Sequence, residues 1–287
     1  MTRSAAASLL ACAGAVVLAS ASQAPPVPRS LVSLESRPLS SGVEVGAPVL
    51  ALAFLPGDRL AVLTAGDLRL GRWRGGALEP LGAWPLPPGD PVRFPGGVLQ
   101  AGEESVWLLR SGLPRAHLLA ADEGGGLLER GQADALPWPA SPTGLRYREG
   151  TNLLRGTLPG LGDGPFLAAA AGTAGSPALG VDPDGRVLVA SDAGPRPAGL
   201  LRAGPALVRL GEGLWAAGSA APPGPADTIL LLAQEGDDVR LAGEVPVAGA
   251  VRALASSGVG DVAHLVAAFD SPTGATLVAF EVRRSAP

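Results

Sequence analysis

The chain has no lysine, so all 22 of its basic residues are arginines, and its formal net charge is only −4. Proteins that bind nucleic acid need a positively charged surface for the phosphates, and those that stack on bases need aromatic side chains. Aromatic residues make up only 4% of this chain. We therefore expect no nucleic-acid partner.

Residues that carry common catalytic or metal chemistry are also scarce. The single cysteine, Cys12, can form neither an intramolecular disulfide nor a cysteine-rich zinc site. The two histidines, His117 and His264, lack the spacing of a metal-binding helix, and no G-x-S-x-G nucleophile elbow is present. The sequence thus predicts no catalytic residues and favours a non-enzymatic role.

The only apolar run that approaches the length of a membrane-spanning segment lies at the N-terminus. Arg3, an apolar stretch over residues 5–21 and small residues near Ala21 and Ala24 predict a signal peptide over residues 1–24. An uncleaved anchor and a lipid anchor at Cys12 are the alternatives. We expect export to the periplasm or the extracellular space, with membrane contact only through the leader or that anchor.

The remaining residues, 25–287, predict one all-β domain. With 41 Gly and 29 Pro, almost no window is long enough for a stable helix. Six acidic turns instead precede apolar runs, at an average spacing of about 41 residues, the length of one propeller blade. They lie around Asp58, Glu103, Glu149, Asp182, Asp227 and Asp261.

The two ends of this domain predict how the propeller closes. Residues 49–86 contain four apolar runs separated by Gly turns, which is one blade, whereas residues 250–282 contain only three. An N-terminal strand over residues 31–36 would supply the missing fourth and remove the open edges. We predict a single β-propeller of six blades. Five or seven stay open, because glycines and prolines interrupt residues 141–180.

The acidic turns resemble those of the FG-GAP or VCBS repeat family, whose blades form a propeller like the N-terminal domain of integrin α chains. That family carries a D-x-D-x-D-G-x-x-D calcium loop before the second strand. Here residues 57–63 keep the strand with one acid, Asp58, while Asp182 and Asp184 keep two alternate acids before Gly185. The resemblance implies calcium at Asp182 and Asp184, and a plain β-turn is the alternative. No other cofactor is expected.

Two further sets of residues are candidates for binding. Arg146 and Arg148 alternate on a predicted inner strand and, with Arg252 on another, are expected to line the axial channel and attract an anion. Trp84 and Trp138 each precede a proline at a presumed blade end, where they pack between blades or contact a partner.

The function that these observations favour is an exported, non-enzymatic binding or scaffold module for a protein or glycan partner. Two alternatives stay open. One is a propeller-type hydrolase or lyase with an axial metal held by acids from different blades, and the other is a calcium-stiffened adhesion module. The fold alone cannot choose among them.

Overall fold

The computed structural model describes residue 30 and residues 32–122, 126–139, 141–219, 226–257 and 262–285. Over these residues the chain forms strands and turns and no α-helix, as its glycine and proline content predicts. Nothing in this part of the chain is therefore a helix able to cross a membrane. The predicted signal peptide, with Cys12, and the acidic turn at Asp261 lie outside the described residues.

The described strands are short at the N-terminus and in the middle of the chain and long near the C-terminus. In chain order they are β1 (Leu34–Pro38), β2 (Val43–Glu44), β3 (Val49–Leu55), β4 (Arg59–Thr64), β5 (Asp67–Arg74), β6 (Ala77–Pro85), β7 (Gly97–Ala101), β8 (Ser105–Arg110), β9 (Ala116–Ala121), β10 (Leu127–Ala133), β11 (Arg146–Tyr147), β12 (Leu154–Arg155), β13 (Ala168–Ala170), β14 (Leu179–Val181), β15 (Arg186–Val189), β16 (Arg196–Gly211), β17 (Leu214–Ser219), β18 (Asp227–Glu235), β19 (Asp238–Val247), β20 (Val251–Ser257), β21 (Val262–Ser271) and β22 (Gly274–Arg284).

These strands pair as antiparallel meanders. Strands β3 to β6 form one four-stranded sheet and β7 to β10 another, both in chain order. Strands β13 to β19 form a seven-stranded sheet, because the 16-residue β16 pairs with β15 near its start and with β17 near its end. Strands β20 to β22 form a sheet with β1 and β2, and β11 pairs only with β12.

The inner strands lie side by side around a common centre, and within the seven-stranded sheet both β13 and β16 are inner strands. Strand β3 contacts both β7 and β20, β20 contacts β16, and β16 contacts β13. Meanders arranged radially in this way are a β-propeller, so the predicted all-β propeller is confirmed. The number of blades stays a prediction, because β16 joins two groups of strands within one sheet.

The ring is closed by the N-terminal strand. Strand β1 pairs antiparallel with β22, from Leu34 opposite Arg284 to Pro38 opposite Phe280. The predicted boundaries, 31–36, are corrected to 34–38. This register suits packing because it buries Leu34 in the same apolar cluster as Phe280.

The core is divided among the spaces between neighbouring sheets. One cluster joins β3 and β4 to β20, β21 and β22, and the next joins β3, β4 and β5 to β8 and β9. Burial falls outward, since every residue of β4 after Arg59 is buried, whereas none of β6 is. Strands with continuous apolar runs are therefore the inner ones, as expected for strands covered on both faces.

The six acidic turns do not occupy equivalent places in this fold. The turn at Asp58 joins the first strand of its sheet, β3, to the second, β4. The turn at Asp182 joins β14 to β15, which are the second and third strands of theirs, and Asp227 begins β18. The average spacing follows blade length, but the turns do not mark one repeated loop.

Candidate functional site in the axial channel

A cavity of about 650 Å³ runs through the centre of the ring, and we call it the inner cavity. Its wall takes one stretch from or beside each of the inner strands β3, β7, β13, β16 and β20, namely residues 50–52, 97–101, 167–173, 205–209 and 252–254. The alanines of 168–171 and Gly97 keep side-chain volume out of the centre. The size lies within the roughly 300–1,000 Å³ of ligand pockets.

A second cavity, also of about 650 Å³, lies near the starts of β3, β7, β13 and β20 and beside Pro205 of β16, and we call it the mouth. It shares Leu50, Gly97, Leu167, Pro205 and Arg252 with the inner cavity, so the two are adjacent parts of one axial channel. The rest of its wall comes from loops, chiefly residues 94–96 and 270–272.

Arg252 lies at the junction of the two cavities and is held by Asp270. Arg252 Nε donates to Asp270 Oδ1 and Oδ2 at 2.8 and 2.9 Å, and its Nη2 donates to Oδ2 at 2.5 Å. These bonds to the carboxylate raise the pKa of Arg252. Arg252 thus lines the channel, but its charge is compensated by Asp270. Its role in binding an anion stays a prediction.

The other two predicted channel arginines face away from both cavities. Arg146 and Arg148 are exposed, and the residue between them, Tyr147, lines the mouth instead. The predicted alternation is present, but the opposite face is turned inward, because an uncharged ring loses less hydration there than two guanidinium groups would. Burial raises the pKa of the Tyr147 phenol, so it stays neutral.

The two Trp-Pro tryptophans do not form a common surface. Trp84 packs against the core between β3–β6 and β7–β10, and its ring lies 5.3 Å from that of the buried His117. Trp138 lines the inner cavity and packs against the next cluster. Of the two, only Trp138 is placed where a ligand in the channel would meet it, and partner contact stays a prediction for both.

Asp182 and Asp184 lie in a tight turn. Asp182 Oδ1 accepts hydrogen bonds from the backbone N–H groups of Asp184 and Arg186 at 2.9 and 2.8 Å. Asp184 Oδ2 lies 3.6 Å from Arg186 Nη2, an exposed ion pair. Both contacts are what an acidic turn makes without metal. No group of three or more potential ligands from His, Cys, Asp and Glu occurs among the described residues.

Two residues that the sequence does not single out belong to the site. Arg209, on β16, lines the inner cavity, and Phe94, in the loop before β7, lines the mouth. Arg209 had a sequence signal, since it is a charge within the apolar run 206–210. Phe94 had none, because it lies in a proline-containing loop outside every predicted strand.

No protein-family model and no curated protein matches the chain. Among solved structures, it is similar to the WD40 domain of Toxoplasma gondii coronin, with a TM-score of 0.45 and 9% identity over 91% of this chain and 89% of that one. It is also similar to a luciferin-regenerating enzyme, with a TM-score of 0.36 and 15% identity over 84% and 78% of the two chains. Likenesses this distant assign no function, and the propeller rests on the strand pairing described above.

Proposed function

We propose that the chain is an exported, non-enzymatic β-propeller that binds a protein partner at the mouth of its axial channel. The observation that carries this proposal is Phe94. Its side chain is 65% exposed, the most exposed large hydrophobic among the described residues, and it lines the mouth. A large aromatic ring beside a concave site offers a partner the kind of anchor that interface hot spots use.

Arg93 makes this surface more specific. Its guanidinium carbon lies 5.1 Å from the centroid of the Phe94 ring, within the range of a cation–π contact. An arginine stacked on an aromatic ring offers a partner both apolar area and hydrogen-bond donors, the two properties that interface hot spots combine.

The loop that presents Phe94 is tied to the sheet on both sides. Asp90 N donates to Gly112 O at 2.8 Å, before the aromatic residue. After it, Gly96 N donates to Ser111 Oγ at 2.8 Å, and Ser111 N donates back to Gly96 O at 3.0 Å. Because the loop is held before any partner arrives, little conformational entropy is lost on binding.

Three finer points belong to the same proposal. The apolar leader over residues 1–24 supports export. Residues 57–63, in which the acidic turn at Asp58 leads into the second strand of its sheet, support the FG-GAP or VCBS repeat type. Calcium at Asp182 and Asp184 stays a prediction, and thermal melting with added calcium against excess chelator tests it.

The proposal is tested by capture from the cell envelope of the source organism, followed by affinity measurement with the purified partner. Phe94→Ala should lower the affinity for that partner by about 30-fold, as expected for a hot spot of about 2 kcal/mol. Leu200→Ala is the matched control, because Leu200 is a large hydrophobic residue that is 49% exposed but lines neither cavity. Equal affinity for the wild type and both variants would contradict the proposal.

A further inference from the structure

The inner cavity is unbalanced in charge. Its lining residues include Arg209 and Arg252 but no aspartate or glutamate. Asp270 compensates Arg252. Arg209 differs, because none of the ion pairs formed among the described residues includes it. Arg209 is therefore a charged residue of the inner-cavity wall that has no ion-pair partner among the described residues.

The place of Arg209 in the channel is set by the backbone. Arg209 lies four residues after Pro205, which is shared with the mouth, so it is about 13 Å further along an extended strand. The Ser256 hydroxyl donates to the Arg209 carbonyl oxygen and ties β20 to β16 at this depth. Arg209 as a residue is half-buried.

The side chains that line the cavity between the mouth and Arg209 are mostly apolar, although polar and apolar atoms expose similar areas there. The wall includes Leu50, Leu99, Leu167, Leu207 and Leu254, with Trp138 beside them. Gln100, Thr173 and Ser256 are its uncharged polar side chains. The leucines of this wall favour contact with an apolar ligand body, while the cation of Arg209 attracts an anion.

We propose that the axial channel binds a small amphipathic anion, with its carboxylate or sulfonate on Arg209 and its apolar body along the leucine wall. The anionic group would accept charge-assisted hydrogen bonds from the guanidinium, and the remainder of the ligand would extend about 13 Å toward the mouth. This site is independent of Phe94 and of the protein partner proposed there.

The test uses two fluorescent probes with nearly the same aromatic body on the full chain. One is 1-anilinonaphthalene-8-sulfonate, an anion, and the other is N-phenyl-1-naphthylamine, which is neutral. Arg209→Gln should lower the affinity for the sulfonate probe at least tenfold, because one charge-assisted interaction of about 1.5 kcal/mol is lost. It should change the affinity for the neutral probe by less than about twofold. Arg146→Gln is the matched control, because Arg146 is exposed and lines neither cavity, and it should change neither affinity.

A second variant tests the location without using charge. Ala169 lines the inner cavity, and Ala169→Phe should fill the space and weaken both probes, with circular dichroism confirming the fold. If this variant does not fold, the two arginine variants decide. The proposal is overturned if Arg209→Gln and Arg146→Gln bind the sulfonate equally well, or if a folded Ala169→Phe binds both probes as the wild type does.

Discussion

Two regions of the ring achieve the same burial by different means. Sheet β3–β6 is paired almost continuously, from Val49 opposite Thr64 to Arg74 opposite Ala77. The described part of residues 134–166 contains only the two-residue strands β11 and β12, with isolated bridges such as Leu136 opposite Leu145. Yet Leu63 in the first region and Leu145 in the second are both fully buried.

This difference shows that buried apolar side chains can fill a place in the ring without a regular sheet. Leu136, Leu145, Leu154 and Phe166 fill the space beside sheet β7–β10 although few of their neighbours belong to a ladder. The backbone polar groups of the irregular region are satisfied locally, as where Leu154 and Phe166 exchange hydrogen bonds of 2.8 and 2.9 Å. We call Leu136, Leu145, Leu154 and Phe166 the apolar plug. With its backbone groups paired, this plug is sufficient to fill the space beside sheet β7–β10, and four complete strands are not required there.

The largest expected effect comes from removing the centre of that plug. Phe166 is 1% exposed, and its ring lies so close to Gly164 and Gly180 that a Cβ on either would come within 2.9 and 3.1 Å of it. Phe166→Ala should lower the free energy of unfolding by about 3–5 kcal/mol, because the cavity cannot collapse. Urea unfolding measures this, with the exposed Phe94→Ala as control at about 0.5 kcal/mol or less. A cost under 1 kcal/mol for Phe166→Ala would mean that the irregular region is loosely packed.

A matched pair of leucines compares the two regions directly. Leu63→Ala and Leu145→Ala each delete a fully buried side chain, one within a regular sheet and one outside it. If packing alone sets the cost, both should destabilise the protein by about 2–5 kcal/mol and differ by less than about 1 kcal/mol. Chemical denaturation of the two variants decides. A much smaller cost at Leu145 would show that the ladder, and not only the plug, stabilises its neighbours.

The same contrast explains how much of the fold the sequence predicts. Apolar runs bounded by glycine predict 49–54, 60–64 and 68–73, and the observed strands are Val49–Leu55, Arg59–Thr64 and Asp67–Arg74. Local pattern succeeds there because each strand pairs with its neighbour in sequence. The interruption predicted over 141–180 is confirmed, but what fills it depends on contacts between residues as distant as Leu136 and Phe166, which no local pattern contains.

The site is predicted less well than the fold. Arg252 lies at the start of the inner strand β20 and lines the channel wall, while its role in binding an anion stays a prediction. In a strand, successive side chains point to opposite faces. An error of one residue in predicting which positions face inward therefore exchanges the faces of Arg146 and Arg148 with that of Tyr147. Phe94 belongs to a loop whose position depends on Ser111 and Gly112 in the neighbouring hairpin, so only the folded chain brings it to the mouth.

A smaller effect is expected from two turn glycines. Gly76, in the β5–β6 turn, has φ +82°, and a Cβ there would lie 2.3 Å from Ser40 Cβ in the closing N-terminal segment. Gly150, between β11 and β12, has φ +67° with nothing within 4 Å. Gly150→Ala should cost about 1 kcal/mol from backbone strain alone, and Gly76→Ala about 1 kcal/mol more because Ser40 must move. Equal melting temperatures for the two variants would show that the closing segment yields freely.

The smallest effect lies at the border of the two regions, where β10 ends the regular sheet before residue 134. Glu129 Oε1 lies 2.9 Å from Nδ1 of the buried His117 and accepts from Gln132 Nε2 at 2.8 Å. These hydrogen bonds, that to His117 first, lower the pKa of Glu129 below its ordinary value of 4.5. A lowered pKa in the folded state contributes stability that is complete above the ordinary value and is lost as the pH falls through the folded one.

Glu129→Gln should therefore be less stable than the wild type at pH 7, and the gap should close as the solution is acidified below about pH 4. Unfolding free energies of both proteins across that range measure it. Asp134→Asn is the matched control, since Asp134 is an exposed carboxylate 3.6 Å from the exposed Arg115 on the same hairpin, and exposed pairs contribute little. A gap for Glu129→Gln that stays constant with pH would mean that the carboxylate serves β10 only through its shape, and that the border is held by packing as the irregular region is.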